Sequence, residues 1–329
     1  SEISLGAMTF GDKEIEWGAP KDECRKMFDA YLDRGGNFID TANKYTNGTS
    51  EKFIGEFMKG KREKIVLATK YVSSMDDENP NASGSHRKNM MQALDASLER
   101  LQTDYIDLYW VHAWDRFTPM DEVMRALDDM VRQGKVLYIG ISDAPAWIVS
   151  HSNTLAELRG WSQFIAIQIE YSLLERTVER ELIPMAKHFG LGVTPWSPLA
   201  SGILTGKYTG HTDDDRRRLE SAPFRQVGER EKMITSAVVE IAKETGKSPA
   251  QVAIRWLMDK DRNNIPIIGA GKLSHLEDNL GAAEFSLSEE HMKKLDEVSK
   301  VELGFPHDFL NSEHIRKIIH GTAEYDVIR

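Results

Sequence analysis

The sequence predicts a (β/α)8 barrel of parallel strands in one domain, and three observations predict it. Short β-rich runs recur eight times along the 329 residues, and segments with apolar residues at helical spacing lie between them. The runs are apolar throughout, as strands buried on both faces should be, and strand-helix alternation at this count is the pattern of a closed parallel barrel. No low-complexity linker divides the chain, so residues 1–329 are read as a single domain.

The runs are EISLGAM, GNFIDT, KIVLATKY, YIDLYWVH, VLYIGISD, FIAIQIEY, GVTPWS and IPIIGAG. Between them KDECRKMFDAYLDRGG, SHRKNMMQALDASLERLQ, MDEVMRALDDMVRQGK and ERELIPMAKHFG repeat apolar residues at helical spacing, several closing on glycine near the C-cap. After the seventh run the polar stretch TGHTDDDRRRLESAPFRQVG, residues 209–228, interrupts the alternation. A loop of that length in a compact domain is usually functional or mobile, and its charge run is either a solvated face or, through Arg216, Arg217 or Arg218, a clasp over cofactor phosphates. The tail from Gly304 is expected to pack beside the barrel mouth or on its outer wall.

Composition narrows the function. Lysine and arginine total 42 against 52 acidic residues, a formal charge of -10, which gives no general attraction to nucleic acid or anionic lipid. Any bound phosphate must be held locally. The single cysteine, Cys24, excludes an intrachain disulfide and a cysteine-cluster metal site and suits a reducing cytoplasm. No apolar run approaches the roughly 18 residues of a membrane span, and SEISLGAMTF has no signal-peptide core.

In such a barrel the chemistry lies at the C-terminal ends of the strands. The eight runs end at or near Met8, Asp40, Lys70, His112, Ser142, Gln168, Trp196 and Gly269. A carboxylate ending a buried strand needs a cation, and Lys70 on the adjacent strand supplies one to Asp40. A lysine beside the Tyr45 hydroxyl is expected to lower the phenol from about 10 towards working pH, making it a proton donor and acceptor. His112, on the next strand, can hold a substrate oxygen towards Tyr45. A proton donor, a charge tuner and an oxygen anchor, with neither nucleophile nor metal, suit carbonyl reduction. Singly, a strand-end aspartate is more often a helix cap; the conjunction on successive strands carries the reading.

These segments resemble the aldo-keto reductases. GGNFIDTANKYTNGTSEKFIGEFMKG is similar to that family's first signature, IVLATKY carries its lysine and YIDLYWVHAWD its histidine. The likeness continues through ALDDMVRQGKVLYIGISD, IQIEYSLLER, WSPLASGILTGKY and IPIIGAGKLSHLEDNLGA, nearly the whole chain. It implies a nicotinamide dinucleotide, NADP(H), bound without a Rossmann fold, and a catalytic tetrad falling on Asp40, Tyr45, Lys70 and His112. Members usually begin with a β-hairpin before the first barrel strand, whereas this chain starts almost at that strand, so the barrel floor is expected to lack its plug.

The cofactor reading follows the strand ends. Trp196 offers a face for nicotinamide, and Ser142 and Gln168 can hydrogen-bond its carboxamide. The resemblance adds Gly6, Ala7 and Met8 at the first strand, with Asp40 and Gly269 beside them. In SPLASGILTGKY the small residues and the free backbone N–H groups about Ser197, Leu199 and Gly202, with Pro198 shaping the turn between them, suit a pyrophosphate, with Lys207 as its partner. Gly271, Lys272 and His275 can surround a ribose 2′-phosphate, while Asp278 and Asn279 can hold the adenine amino group. Two positions depart from the family pattern: Asp143 stands where asparagine or arginine is common after the serine, and His275 where glutamine or arginine is common. Trp17 and Trp114, with Tyr45 and His112, are the expected pocket for an aromatic or apolar carbonyl substrate.

Two other readings share features of the sequence. GISDA imitates a serine-hydrolase elbow but lacks its last glycine. Potassium-channel β subunits, relatives that bind the same cofactor as regulatory modules with slow turnover, share the tetrad. A monomer or small homo-oligomer acting on a small molecule, with neither nucleic acid nor membrane as partner, is the expectation.

Overall fold

The computed structural model describes residues 1–11, 18–207 and 227–321. Trp17, Arg216, Arg217, Arg218 and nearly all of the predicted clasp lie outside these residues.

Eight parallel strands appear at the eight runs: β1 (Ser4–Gly6), β2 (Phe38–Asp40), β3 (Val66–Tyr71), β4 (Ile106–Val111), β5 (Val136–Ser142), β6 (Phe164–Glu170), β7 (Gly192–Trp196) and β8 (Ile267–Ile268). They are bonded in the order β7-β6-β5-β4-β3-β2-β1-β8. A parallel bridge between Val193 and Asn264, just ahead of β8, joins the two edges, with Ile265 N–H donating to Val193 O at 2.8 Å. The chain thus forms the predicted (β/α)8 barrel.

The intervening helices are α1 (Lys21–Asp33), α2 (Thr49–Phe57), α3 (Arg87–Leu101), α4 (Met120–Arg132), α5 (Ala146–Arg159) and α6 (Leu182–Phe189). Among the described residues two helices, α7 (Glu229–Thr245) and α8 (Pro249–Lys260), lie between β7 and β8, and α9 (Leu273–Leu280) follows β8. Beyond the barrel come α10 (Glu289–Val298), α11 (His307–Asn311) and α12 (Glu313–His320). The tail is held beside the mouth, as expected: Arg180, in the loop after β6, donates to Glu302 O at 2.6 Å, and His307 meets Glu181 at 2.9 Å. Among the described residues no helix is long and apolar enough to cross a membrane.

Alternation along each strand divides the core in two. One cluster, built by Leu67, Tyr71, Tyr109, Ile139, Ile141 and Ile167 among others, packs between strands and helices. The other, Phe38, Ala68, Leu108, Trp110 and Ala166, fills the barrel lumen. Gly140 faces that lumen, and a Cβ there would stand 2.4 Å from the Trp110 ring, so glycine makes room for the indole. The lumen positions continue two residues upward into Asp40, Lys70, His112, Ser142 and Gln168, so the core pattern itself aims these side chains at the mouth. At the opposite end Val66 and Tyr138, which share the lumen parity, are exposed.

Strand ends differ from the expected runs by one or two residues. β1 stops at Gly6 and β8 at Ile268, so Met8 and Gly269 sit in loops beyond them. β6 continues past Gln168 to Glu170, and His112 is the first residue after β4.

Candidate active site

Tyr45 is carried by an unusual turn. It opens the 3-10 segment Tyr45–Gly48, in which Thr46, Asn47 and Gly48 all have positive φ, 47°, 51° and 86°. A β-branched residue in that region costs of order 1–3 kcal/mol, and local bonds offset it. Thr46 Oγ1 donates to Phe10 O at 2.7 Å and accepts from Ser50 N–H at 3.0 Å. Behind the turn, Glu51 is wholly buried, accepting from Thr69 Oγ1 and Arg100 Nε, each at 2.6 Å. A Cβ on Gly48 would lie 2.9 Å from Arg100 Cδ, so the glycine both turns the chain and admits the arginine. The tyrosine loop is thereby tied to β3 and α3.

The expected group assembles. Lys70, 0% exposed, forms an ion pair with Asp40, 2% exposed, and donates to Thr41 O at 2.9 Å and to the Tyr45 hydroxyl at 3.0 Å. The other Asp40 oxygen accepts from Gln168 Nε2 at 3.0 Å. His112 meets Tyr45 edge to face, ring centroids 5.8 Å apart at 81°. Its Nδ1 lies 3.4 Å from Ser73 Oγ. A Ser73 proton donated there places the imidazole proton on Nε2, ready to bond an oxygen.

The electrostatics modify one expectation. Burial raises the Tyr45 phenol above its ordinary pKa; the Lys70 charge pulls it down, Asp40 and Asp143 push it up, and the net direction is upward. Lys70 does act as foreseen, but desolvation outweighs it, so Tyr45 stays protonated and is poised as a donor. Burial opposes the Lys70 charge too, yet Asp40 and Tyr45 prevail and keep it an ammonium. Burial first, and then the Lys70 charge, lower His112 to about 3, so it is neutral at working pH.

The cofactor positions separate into those that can contact a ligand and those the fold already uses. Trp196 Nε1 donates to Asp143 Oδ1 at 3.0 Å, fixing the indole at the mouth. Burial raises the Asp143 carboxyl, while bonds from Trp196 and Ser142 and the Lys70 charge lower it; the net direction is upward. Gln168, committed to Asp40 through its amide nitrogen, keeps its carbonyl oxygen as an acceptor. Around Ser197, Pro198 and Leu199 the backbone turns sharply, with positive φ at Ser197, Ala200, Ser201 and Gly202. Successive backbone N–H groups across a step from right- to left-handed backbone, as from Leu199 (φ -98°) to Ala200 (φ 50°), form concave anion cradles. Among the described residues a Cβ on Gly202 would meet nothing within 4 Å, and one on Gly269 only Gly6 O at 3.8 Å, which leaves room beside both. Lys207 and Lys272 are exposed, and neither has an ion pair among the described residues. An aromatic face, an amide acceptor, a backbone cradle and two unclaimed cations fit a nicotinamide dinucleotide phosphate.

Other predicted contacts have structural work. A Cβ on Gly6 would lie 2.7 Å from Ile267 Cγ2, so this glycine is required by the β1–β8 packing. Ala7 is buried, and its carbonyl accepts from Ser50 Oγ and Phe10 N–H. Met8 is exposed. Asp278, expected at adenine, is engaged by Ser248 Oγ at 2.7 Å and Gln251 Nε2 at 3.2 Å, bracing the capping box of α8. Gly271 and His275 are half-buried at the start of α9, and Asn279 is buried. Leu273 N–H is taken by Glu23 Oε1 at 2.8 Å, a carboxylate from α1 that sequence reasoning missed because its neighbours mark only an exposed helix start.

On the substrate side Trp114 is half-buried, and Trp147 on α5 meets it edge to face, centroids 5.6 Å apart at 84°. Trp114 N–H donates to Asp143 O at 3.5 Å, joining this wall to the Trp196 side. Ser73 and Trp147 were not foreseen, since neither lies at a strand end. No cluster of three or more metal-ligating side chains occurs among the described residues.

The aldo/keto reductase family model matches residues 2–300. The chain is 38% identical to an aryl-alcohol dehydrogenase [NADP(+)] of Phanerodontia chrysosporium, over 99% of this chain and 90% of that protein. It is 36% identical to a norsolorinic acid reductase of Aspergillus flavus, covering 94% of this chain and 80% of that protein. A probable aryl-alcohol dehydrogenase of Saccharomyces cerevisiae is 35% identical over 89% of this chain and 92% of its own length.

Proposed function

The chain belongs to the aldo/keto reductase family, and from that membership we propose that it reduces aromatic aldehydes or ketones to alcohols with NADPH, Tyr45 delivering the proton. The observation that carries this is the buried chain Asp40–Lys70–Tyr45 with neutral His112 against the phenol. When bound, the dinucleotide supplies a hydride to the carbonyl carbon.

The protein's own residues do the rest. His112 Nε2–H holds the carbonyl oxygen, which gains negative charge as the carbon is reduced. Tyr45 donates its proton to that oxygen, and the Lys70 ammonium beside it stabilises the phenolate left behind. Asp40 keeps Lys70 charged and in place, while Gln168 and Thr41 fix the pair. Trp196, held by Asp143, would offer its face to the nicotinamide, and Lys272 and the backbone about Ser197–Gly202 would hold the phosphates. Trp114 forms an aromatic wall beside His112, which favours aryl over small polar carbonyls. The names of the relatives, which specify aryl alcohols and NADP(+), support the same substrate class and cofactor.

The test is NADPH consumption with a reactive aromatic aldehyde in excess. Many turnovers per chain, with the alcohol as product, are expected. One stoichiometric oxidation followed by arrest would instead favour a regulatory redox module.

A further inference from the structure

Beyond Trp114 the loop after β4 is built around one carboxylate. Asp115 Oδ1 accepts from Phe117 and Thr118 N–H, both at 3.0 Å. Oδ2 accepts from Ser85 N–H at 2.7 Å and Thr118 Oγ1 at 2.6 Å. Burial raises this carboxyl, but the four bonds outweigh it and bring the group to about 2. Its oxygens are therefore committed to shaping the loop.

That loop forces Arg116 to a φ of 67°, a left-handed conformation uncommon for a long side chain. The guanidinium lies 5.8 Å from the centroid of Trp114. Arg116 is exposed and has no ion pair among the described residues. Trp147, 62% exposed, stands edge-on to the same Trp114 ring. What sets the pair apart is their juxtaposition: an exposed indole and a cation with no ion pair among the described residues meet on one aromatic wall, two residues beyond His112, where a ring and an attached anion could be held together.

We propose that Arg116, Trp114 and Trp147 form an outer subsite that selects aromatic carbonyl substrates bearing an anionic substituent, such as a carboxylate, on the ring side away from the reacting carbonyl. The inference rests on the proposed carbonyl reduction. The indoles take the ring and the guanidinium takes the anion, which it can bind in bidentate fashion. This contact is made in the ground and transition states alike, so its effect falls on KM more than on kcat.

A matched pair tests it: 4-formylbenzoate, which carries the anion, against its methyl ester, which has the same ring and aldehyde. Steady-state kcat/KM for each is measured in the wild type, Arg116→Met and Arg116→Lys. The acid-to-ester ratio of the wild type should fall about fivefold in Arg116→Met, the scale of an exposed charge contact, with the change in KM. Arg116→Lys should retain most of the preference, and about 0.5 M salt should erode it in the wild type. An acid-to-ester ratio equal in wild type and Arg116→Met, or insensitive to salt, would overturn the subsite while leaving carbonyl reduction intact. Failure to turn over either compound would overturn the subsite together with the reading on which it rests.

Discussion

Lys70 Nζ stands 3.0 Å from the Tyr45 hydroxyl while paired with Asp40, so one buried ammonium serves a carboxylate and a phenol at once. Its removal has two separable consequences. Lys70→Met should lose most activity, because no charge remains to stabilise the phenolate. It should also lose about 3–5 kcal/mol of stability, because the Asp40 carboxylate is left buried and unpaired. Adding Asp40→Asn removes that charge and should restore much of the stability without restoring activity. Urea unfolding of the three proteins decides: a Lys70→Met chain as stable as the wild type would contradict the buried pair.

The pH dependence follows from two groups shifted in opposite directions. His112, at about 3, and Tyr45, above its ordinary 10, each keep one protonation state across the neutral range. The rate of carbonyl reduction should therefore be flat there, as far as these groups govern it. Because His112 binds its proton less readily folded than unfolded, its contribution to stability is present above the ordinary 6.5 and is lost as pH falls towards 3. His112→Gln should flatten that part of an unfolding-versus-pH curve. A wild-type reduction rate that titrates near 6.5 would mean that the imidazole is not held neutral.

The barrel and the convergence of Asp40, Tyr45, Lys70 and His112 at its mouth were legible because both depend on local pattern. Eight apolar runs specify the strands, and lumen parity carries Asp40, Lys70, His112 and Gln168 to one end. Less legible were relations that depend on what lies across the fold. Nothing near Glu23 in the sequence reveals that it caps α9, and nothing near Asp278 reveals that Ser248 and Gln251 hold its carboxylate. The net rise of Tyr45 was also hidden, since the lysine is visible in the sequence and the extent of desolvation is not. Asp143, out of pattern as a cofactor contact, proves to be the acceptor for the Trp196 indole.

NADPH differs from NADH by the charge of its 2′-phosphate. Lys272 is the exposed cation at the start of α9, and a charge-assisted contact contributes roughly 1.5–3 kcal/mol, on the order of 10- to 150-fold. NADPH should bind at least about tenfold more tightly than NADH, and Lys272→Ala should erase most of the difference. Glu23→Gln should widen it by removing a negative charge from the same helix end. Dissociation constants from tryptophan quenching provide the readout; an unchanged ratio in Lys272→Ala would assign the 2′-phosphate to another cation.

The proton transfer assigned to Tyr45 is the centre of the account, and Tyr45→Phe tests it most directly. The variant removes one oxygen whose described partner is Lys70 and leaves the Asp40–Lys70 pair and the Trp196 face in place. Single-turnover reduction of an aromatic aldehyde at saturating NADPH, measured beside the NADPH dissociation constant, separates chemistry from binding. The expected result is a rate lower by about 100- to 10,000-fold with a nearly unchanged dissociation constant. A Tyr45→Phe enzyme that keeps most of the wild-type rate would contradict it.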